Sequence, residues 1–482
     1  MLFNSLSFAL FLPIVFIIYW FATKNNHRYQ NMLLLVSSYF FYACWDWRFL
    51  FLLVFSTLLD FFTGSKIYDA STRRSKLFWL WLSVGINLGF LGVFKYYNFF
   101  VQSLIDAFSN FGISINFATL HVILPVGISF YTFHGLSYVI DIYNDKIKPE
   151  RNFITYSVFV SFFPLLVAGP IERATHLLPQ IIRSRAFDYE KAILGLRQIL
   201  WGLFKKIVIA DNCAQFANII FNNSDQYSGS TLFIGALFFT FQIYGDFSGY
   251  SDIALGTAKL FGIDLLRNFA YPYFSRDIAE FWRRWHISLS SWFRDYVYFP
   301  LGGSRGSIGQ KIRNTFIIFI LSGFWHGANW TFVVWGALNA AFFLPLLITN
   351  NNRSNIEIVA VGKYFPSVKE LVQILFTFTL TVFAWIFFRS ENITQALQIV
   401  TEIFSVSFFE IPYFQSISES IPVIFLLFFF ILIEWIGREQ QFAIEVFACN
   451  WKAPFRDLFY YLLIFLIFWF AGKQEEFIYF QF

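Results

Sequence analysis

The stretch Ile421-Pro-Val-Ile-Phe-Leu-Leu-Phe-Phe-Phe-Ile-Leu-Ile-Glu-Trp-Ile-Gly437 carries one ionisable side chain, Glu434, close to its end. A helix that crosses a bilayer needs about 20 mostly apolar residues, and this run has the composition and nearly the length for it. Working outward, similar runs recur at 4–22, 31–45, 49–64, 77–95, 119–141, 198–222, 229–245, 247–263, 314–348 (one piece or two), 370–388 and 457–471. A further run, 153–171, is interrupted by Pro164, Gly169 and Pro170. These runs predict an all-α polytopic membrane protein with about eleven or twelve crossings.

Composition leads to the same class. Of 482 residues, 57% are hydrophobic and only 13% charged, with 71 phenylalanines. A water-soluble shell cannot be built from so few polar side chains, which excludes a soluble enzyme, a disordered chain and a nucleic-acid module. Continuous apolar runs also argue against a β-barrel, whose strands alternate polar and apolar positions. The net charge of +5 comes from basic residues clustered in loops, where they act as topology signals. Cys44, Cys213 and Cys449 form no CxxC pair, and no metal motif is present. Without a Gly/Ser-rich linker or repeat, residues 1–482 read as one transmembrane domain.

Loop charge sets the expected orientation. The run Phe8 to Phe21 has no basic residue before it and no small-residue cleavage site after it, so it reads as a first span rather than a removed signal peptide. Lys24 and Arg28 follow it, which places the N-terminus outside. A hairpin is expected around Asp46-Trp47-Arg48. Lys66, Arg73, Arg74 and Lys76 then lie inside, as do Lys146, Lys148 and Arg151. The basic residues Arg173, Arg183, Arg185 and Lys191 want the same side, so 153–171 is expected to be re-entrant rather than a full crossing. Residues 264–313 are the most polar stretch. Within it Ile278, Phe281, Trp282, Trp285, Leu289, Trp292 and Phe293 recur at helical spacing, which predicts a basic amphipathic helix in the cytoplasmic interface.

Ionisable residues at membrane depth are functional candidates. His27 and His176 fall in loops, His121 at the start of a span, and His134 inside one, where pairing with a neighbouring helix is expected. His326 sits in Leu321-Ser-Gly-Phe-Trp-His-Gly-Ala-Asn-Trp330. Thirteen residues beyond Arg313, it lies roughly 20 Å into a slab about 30 Å thick. Gly323 and Gly327 flank it, allowing close approach of a helix or a substrate. An imidazole there can take a proton from a hydroxyl and pass it on, although helix packing accounts for the glycines equally. His286 lies beside Arg283 and Arg284, as either a donor-binding or a plain polar-face residue. Gly245-Asp-Phe-Ser-Gly-Tyr-Ser-Asp252 is expected near a helix break, and Glu434 is expected to snorkel.

Five stretches taken together are similar to the membrane-bound O-acyltransferase (MBOAT) family of the bacterial alginate O-acetyltransferase type: Leu124-Pro-Val-Gly-Ile-Ser-Phe-Tyr-Thr-Phe133, Phe163-Pro-Leu-Leu-Val-Ala-Gly-Pro-Ile-Glu-Arg173, Tyr244-Gly-Asp-Phe-Ser-Gly-Tyr-Ser-Asp252, Phe281-Trp-Arg-Arg-Trp-His-Ile-Ser-Leu-Ser290 and Gly323-Phe-Trp-His-Gly-Ala-Asn-Trp330. The ending Phe477-Ile-Tyr-Phe-Gln-Phe482 is also similar. The resemblance implies tilted helices around a central funnel, a signature histidine at His326 and a second at His286. His134 departs from the pattern and receives no role. It further implies an acyl thioester donor such as acetyl-CoA, no bound cofactor, a periplasmic or extracellular acetyltransferase-like partner, a polysaccharide acceptor, and a bacterial cytoplasmic (inner) membrane location. On that reading His326 is the general base or, as a second route, carries the acyl group. Arg283, Arg284 and Trp325 would contact the donor. Asn329, three residues beyond His326, would face the developing oxyanion.

Two alternatives stand beside this one. The same fold could transfer D-alanine toward teichoic acid or acetylate peptidoglycan. A polysaccharide or lipid exporter could line a pathway with the same polar residues, though transporters often show inverted repeats and this sequence has none.

Overall fold

The computed structural model describes residues 1–482 except 24, 25, 116, 121, 122, 168, 450, 473, 474, 476 and 479–482. Lys24, His121 and the last four residues, each used in the sequence reading, therefore lie outside the described residues. All regular structure among the described residues is helical, and contacts cluster it into two compact units.

The first unit holds Met1–Ile193 and Thr257–Leu266. It contains α1 (Leu6–Ala22), α2 (His27–Asp69), α3 (Arg73–Leu91), α4 (Tyr97–Ser109), α5 (Ile128–Tyr143), α6 (Phe153–Ser161), α7 (Phe163–Leu166) and α8 (Ala174–Ile182). The expected hairpin at Asp46 corresponds to a single non-helical residue (φ −155°, ψ 112°) that divides α2. A π-helical turn, Gly92–Tyr96, joins α3 to α4, so this span runs well past its expected end. The span expected from 119 starts only at 128, where Gly127 adopts a left-handed φ of 73° against the Leu166 carbonyl. In the interrupted run, α6 and α7 have nine and four residues. At about 1.5 Å per residue neither reaches across a 30 Å core.

The second unit holds Leu194–Gly256 and Arg267–Phe482. After α9 (Tyr189–Leu203) comes a seven-residue π-helical stretch, Phe204–Ala210, then α10 (Asp211–Phe221) and α11 (Gly229–Leu260). Two separate spans were expected at 229–263, but α11 is continuous over 32 residues. Its glycines serve packing: a methyl on Gly249 would come within 2.8 Å of the Gly202 carbonyl, and one on Gly202 within 2.7 Å of the Gly249 carbonyl. Small residues allow such backbone-to-backbone contact between membrane helices.

The amphipathic helix expected at 278–293 is two short helices, α12 (Ile278–Arg284) and α13 (Ile287–Phe293), separated by Trp285 and His286. Phe281, Trp285, Leu289 and Trp292 are buried in protein rather than set in headgroups. The long run 314–348 is two helices, α14 (Ile308–His326) and α15 (Trp330–Ile348). They are followed by α16 (Val368–Arg389), an amphipathic α17 (Ile393–Ile403) that hydropathy did not reveal, α18 (Ile417–Ile436) and α19 (Ala453–Trp469).

Five helical stretches among the described residues are long and apolar enough to cross a membrane: His27–Asp69, Arg73–Ser109, Trp330–Ile348, Val368–Arg389 and Ile417–Ile436. The helices at three other expected spans, Leu6–Ala22, Ile128–Tyr143 and Ala453–Trp469, have 17, 16 and 17 residues and fall just short of that length. The chain is a multi-pass membrane protein.

Candidate active site

The site is built where α14 ends. His326 is the last residue of α14; the backbone then turns extended at Gly327 (φ −160°), and Asn329 caps α15. Two glycines let α14 and α15 meet backbone to backbone. A methyl on Gly323 would collide with the Phe332 carbonyl, and one on Gly336 with the Phe319 carbonyl. Gly327 is covered by the Phe332 ring. The glycines flanking His326 thus hold helices together rather than leaving an opening for substrate.

The His326 ring is buried, at 3% exposure, inside an aromatic box. Trp325 lies 4.9 Å from it, Trp335 5.2 Å and Phe388 5.3 Å between centroids, all near edge-to-face. Trp385 stacks on Trp335 at 5.6 Å and contacts Trp285 at 5.0 Å, closing the wall behind them. Edge-to-face packing of this kind fixes ring orientation and excludes water.

His286 completes the site from α12 and α13. Its ring is also buried, 6.4 Å from that of His326, with Trp325 touching both. Phe247 of α11 packs on it at 4.6 Å, and Phe477 lies behind Phe247 at 6.1 Å. Of the two sequence expectations for His286, donor binding or a plain polar face, its burial excludes the second. Its backbone is left-handed (φ 43°, ψ 54°), a conformation that costs a non-glycine residue about 1 kcal/mol or more. Such strain persists where the surroundings impose it, often at functional sites.

A cavity of about 570 Å³ opens among α12, α13, α14 and α15, and neither histidine lines it. Its lining includes Ile287, next to His286, and Ser322, one turn before His326. Trp282, Phe319 and Phe343 form an apolar wall, and Arg283, Arg294 and Arg353 supply positive charge.

The structure places the other expected site residues as follows. Arg283 lines the cavity and donates to the carbonyls of Asn352 (2.9 Å) and Asn355 (2.8 Å). Arg284 turns away, forming an ion pair with buried Glu280 at 2.7 Å. Trp325 bridges the histidines. Asn329 does not share a helical face with His326, because α14 has already ended. Its amide nitrogen donates to the Glu391 carbonyl (2.8 Å) and its oxygen accepts from the Thr331 N–H, leaving it as a helix cap. His134 is buried and its Nε2 accepts the Glu172 N–H at 3.0 Å, a structural bond.

Sequence reading overlooked a buried charge network. Lys206 sits between Asp211 (2.7 Å) and Asp246 (2.8 Å), and Lys205 pairs with Asp252 (2.6 Å). Glu434 does not snorkel: it is buried and accepts hydrogen bonds from Trp201 Nε1 and Tyr244 OH. The available signal was two lysines and an aspartate inside the apolar run 198–222, since charges at membrane depth are normally paired. Among the described residues no group of His, Cys, Asp and Glu is arranged to hold a metal.

Comparison with known proteins gives these features a context. The model of the MBOAT, membrane-bound O-acyltransferase family, matches residues 143–364. The probable alginate O-acetylase AlgI of Pseudomonas aeruginosa is 40% identical over 407 residues, which is 84% of this chain and 75% of that protein. A peptidoglycan O-acetyltransferase of Helicobacter pylori is 36% identical over 83% of this chain and 79% of its own length. A teichoic acid D-alanyltransferase of Bacillus subtilis is 27% identical over 45% of this chain and 57% of its own length. Fold and relatives together define a membrane-embedded acyltransferase, so the exporter alternative is set aside. The chain belongs to the MBOAT family.

Proposed function

We propose that the chain transfers an acetyl group from a cytoplasmic thioester, such as acetyl-CoA, toward hydroxyls of an envelope polysaccharide, alginate-like in the first instance, from the bacterial inner membrane. The observation that carries this reading is the pair of buried imidazoles 6.4 Å apart, with the neighbours of each, Ile287 and Ser322, lining a cavity that is apolar within and arginine-bearing. Acetylation is favoured over D-alanyl transfer because the O-acetylating relatives align over 83–84% of the chain, against 45% for the D-alanyltransferase.

In this scheme Arg283, Arg294 and Arg353 hold the anionic groups of the donor, and its apolar arm lies along Trp282 and Phe319. His326 removes the proton from the attacking hydroxyl as oxygen bonds to the thioester carbonyl. Collapse of the adduct breaks the carbon–sulfur bond, and the same proton goes to the departing thiolate, giving ester and free thiol. His286 orients the thioester or relays that proton. The aromatic box keeps out water, which would otherwise compete as acceptor. A partner on the far side of the membrane completes delivery to the polymer.

The test is a deletion strain carrying wild-type or His326→Ala protein, with base-labile acetyl esters on surface polysaccharide as the readout. Loss of esters at normal membrane levels of the variant is expected. Unchanged ester content would remove His326 from the chemistry.

A further inference from the structure

His286 needs a support that its own helix does not provide. It occupies a left-handed turn between α12 and α13, where an ordinary residue relaxes to negative φ. The segment 268–270 runs antiparallel beside that turn. On one flank the Ala270 N–H donates to the Arg284 carbonyl at 2.9 Å; on the other the Ile287 N–H donates to the Asn268 carbonyl at 2.9 Å. The Asn268 side chain adds two bonds to the residue that follows: its Oδ1 accepts from Ser288 Oγ at 2.9 Å and from the Ser288 N–H at 3.4 Å. Its Nδ2 donates in the other direction, to Ser251 Oγ of α11 at 3.2 Å. Asn268 and Ser288 are both buried, so water cannot replace these bonds. Phe269, the next residue, lies parallel to the imidazole at 6.4 Å and 11°.

We infer that Asn268 is a positioning residue for acyl transfer: by holding Ser288 it fixes the strained turn and the direction of the His286 ring. The inference rests on the role given to His286 under Proposed function. Asn268 touches no reacting atom. Its Oδ1 locks the C-terminal side of the turn, while the main-chain bonds lock both sides in register. Without the side-chain bonds the turn can relax and swing the imidazole away from His326, and misplacement by about 1 Å can cost on the order of a hundredfold in rate.

The experiment uses the full-length chain in the deletion strain. It reads the initial rate at which base-labile acetyl esters appear on surface polymer after induction, per copy of membrane protein. Asn268→Ala and Ser288→Ala are each expected to slow transfer about tenfold or more, and the double variant no further than Asn268→Ala, which already removes the Ser288 hydroxyl bond along with the Ser288 N–H bond. Ser288→Thr, which keeps the hydroxyl, is expected to retain at least half the rate. Ser251→Ala, which removes the other Asn268 bond without touching the turn, is expected to stay within twofold. If Asn268→Ala does not accumulate, Ser288→Ala against Ser288→Thr carries the test alone. Multiplicative losses in the double variant, a Ser288→Thr as slow as Ser288→Ala, or a Ser251→Ala as slow as either would overturn the positioning role. A His286→Ala variant at wild-type rate would instead overturn the reading of His286 on which this rests.

Discussion

Gly323→Ala tests how the scaffold controls the site. The added methyl would lie well inside 3.0 Å of the Phe332 carbonyl oxygen, whereas ordinary contact begins near 3.4 Å. The obstacle is helix backbone and cannot rotate away, so α14 and α15 must part by roughly 1 Å. His326 is three residues further along α14 and moves with it, while Trp335 and Phe388 of its box sit on α15 and α16. Overpacking of this kind costs about 1–3 kcal/mol, and a shift of about 1 Å at the reacting group lowers the rate on the order of a hundredfold. The measurement pairs ester accrual in the deletion strain with thermal unfolding of the detergent-extracted protein. Gly89→Ala is the control, since nothing lies within 4 Å of a methyl there. A Gly323→Ala protein with wild-type rate and stability would refute the claim that this contact sets the position of His326.

Further expectations concern charge. Lys206→Met leaves Asp211 and Asp246 buried without their cation and is expected to destabilise the protein by about 3–5 kcal/mol, seen as loss of monodisperse protein on extraction. Arg353→Ala, at the cavity, is expected to raise the apparent KM for acetyl-CoA several-fold in membrane vesicles with little change in maximal rate; the reverse pattern would argue against a donor-holding role. In α8, outside the spans, the 2.8 Å bond to Glu172 raises the pKa of His176 above its usual value near 6.5, with partial burial opposing. Its stabilisation is complete below about pH 6.5 and is lost as pH rises through the raised value. The Tm difference between wild type and His176→Gln should therefore be largest near pH 5–6 and shrink toward pH 9.

Hydropathy located most helices because apolar length is a local property. It failed where polar groups are satisfied over distance. The run 229–263 looked interrupted by Gly245, Asp246 and Asp252, yet α11 is continuous because those acids are neutralised by lysines on the preceding π-helical stretch. The 278–293 region had the right periodicity, but one left-handed residue splits it, and no local rule reports a turn imposed by a neighbouring segment. Asn329 failed for a related reason: spacing along an assumed helix has no meaning once that helix ends at His326.

The sequence by itself determined the membrane class, the all-helical fold and, through its motifs, the family, since these follow from composition and from residues adjacent in the chain. Only the tertiary structure decided that His286 and His326 come within 6.4 Å of each other among aromatic rings, that Arg284 and Asn329 point elsewhere, and that Asn268 bonds to Ser288 beside the turn. Those facts depend on which buried polar groups find one another across tens to hundreds of residues, and that pairing is settled only when the helices pack.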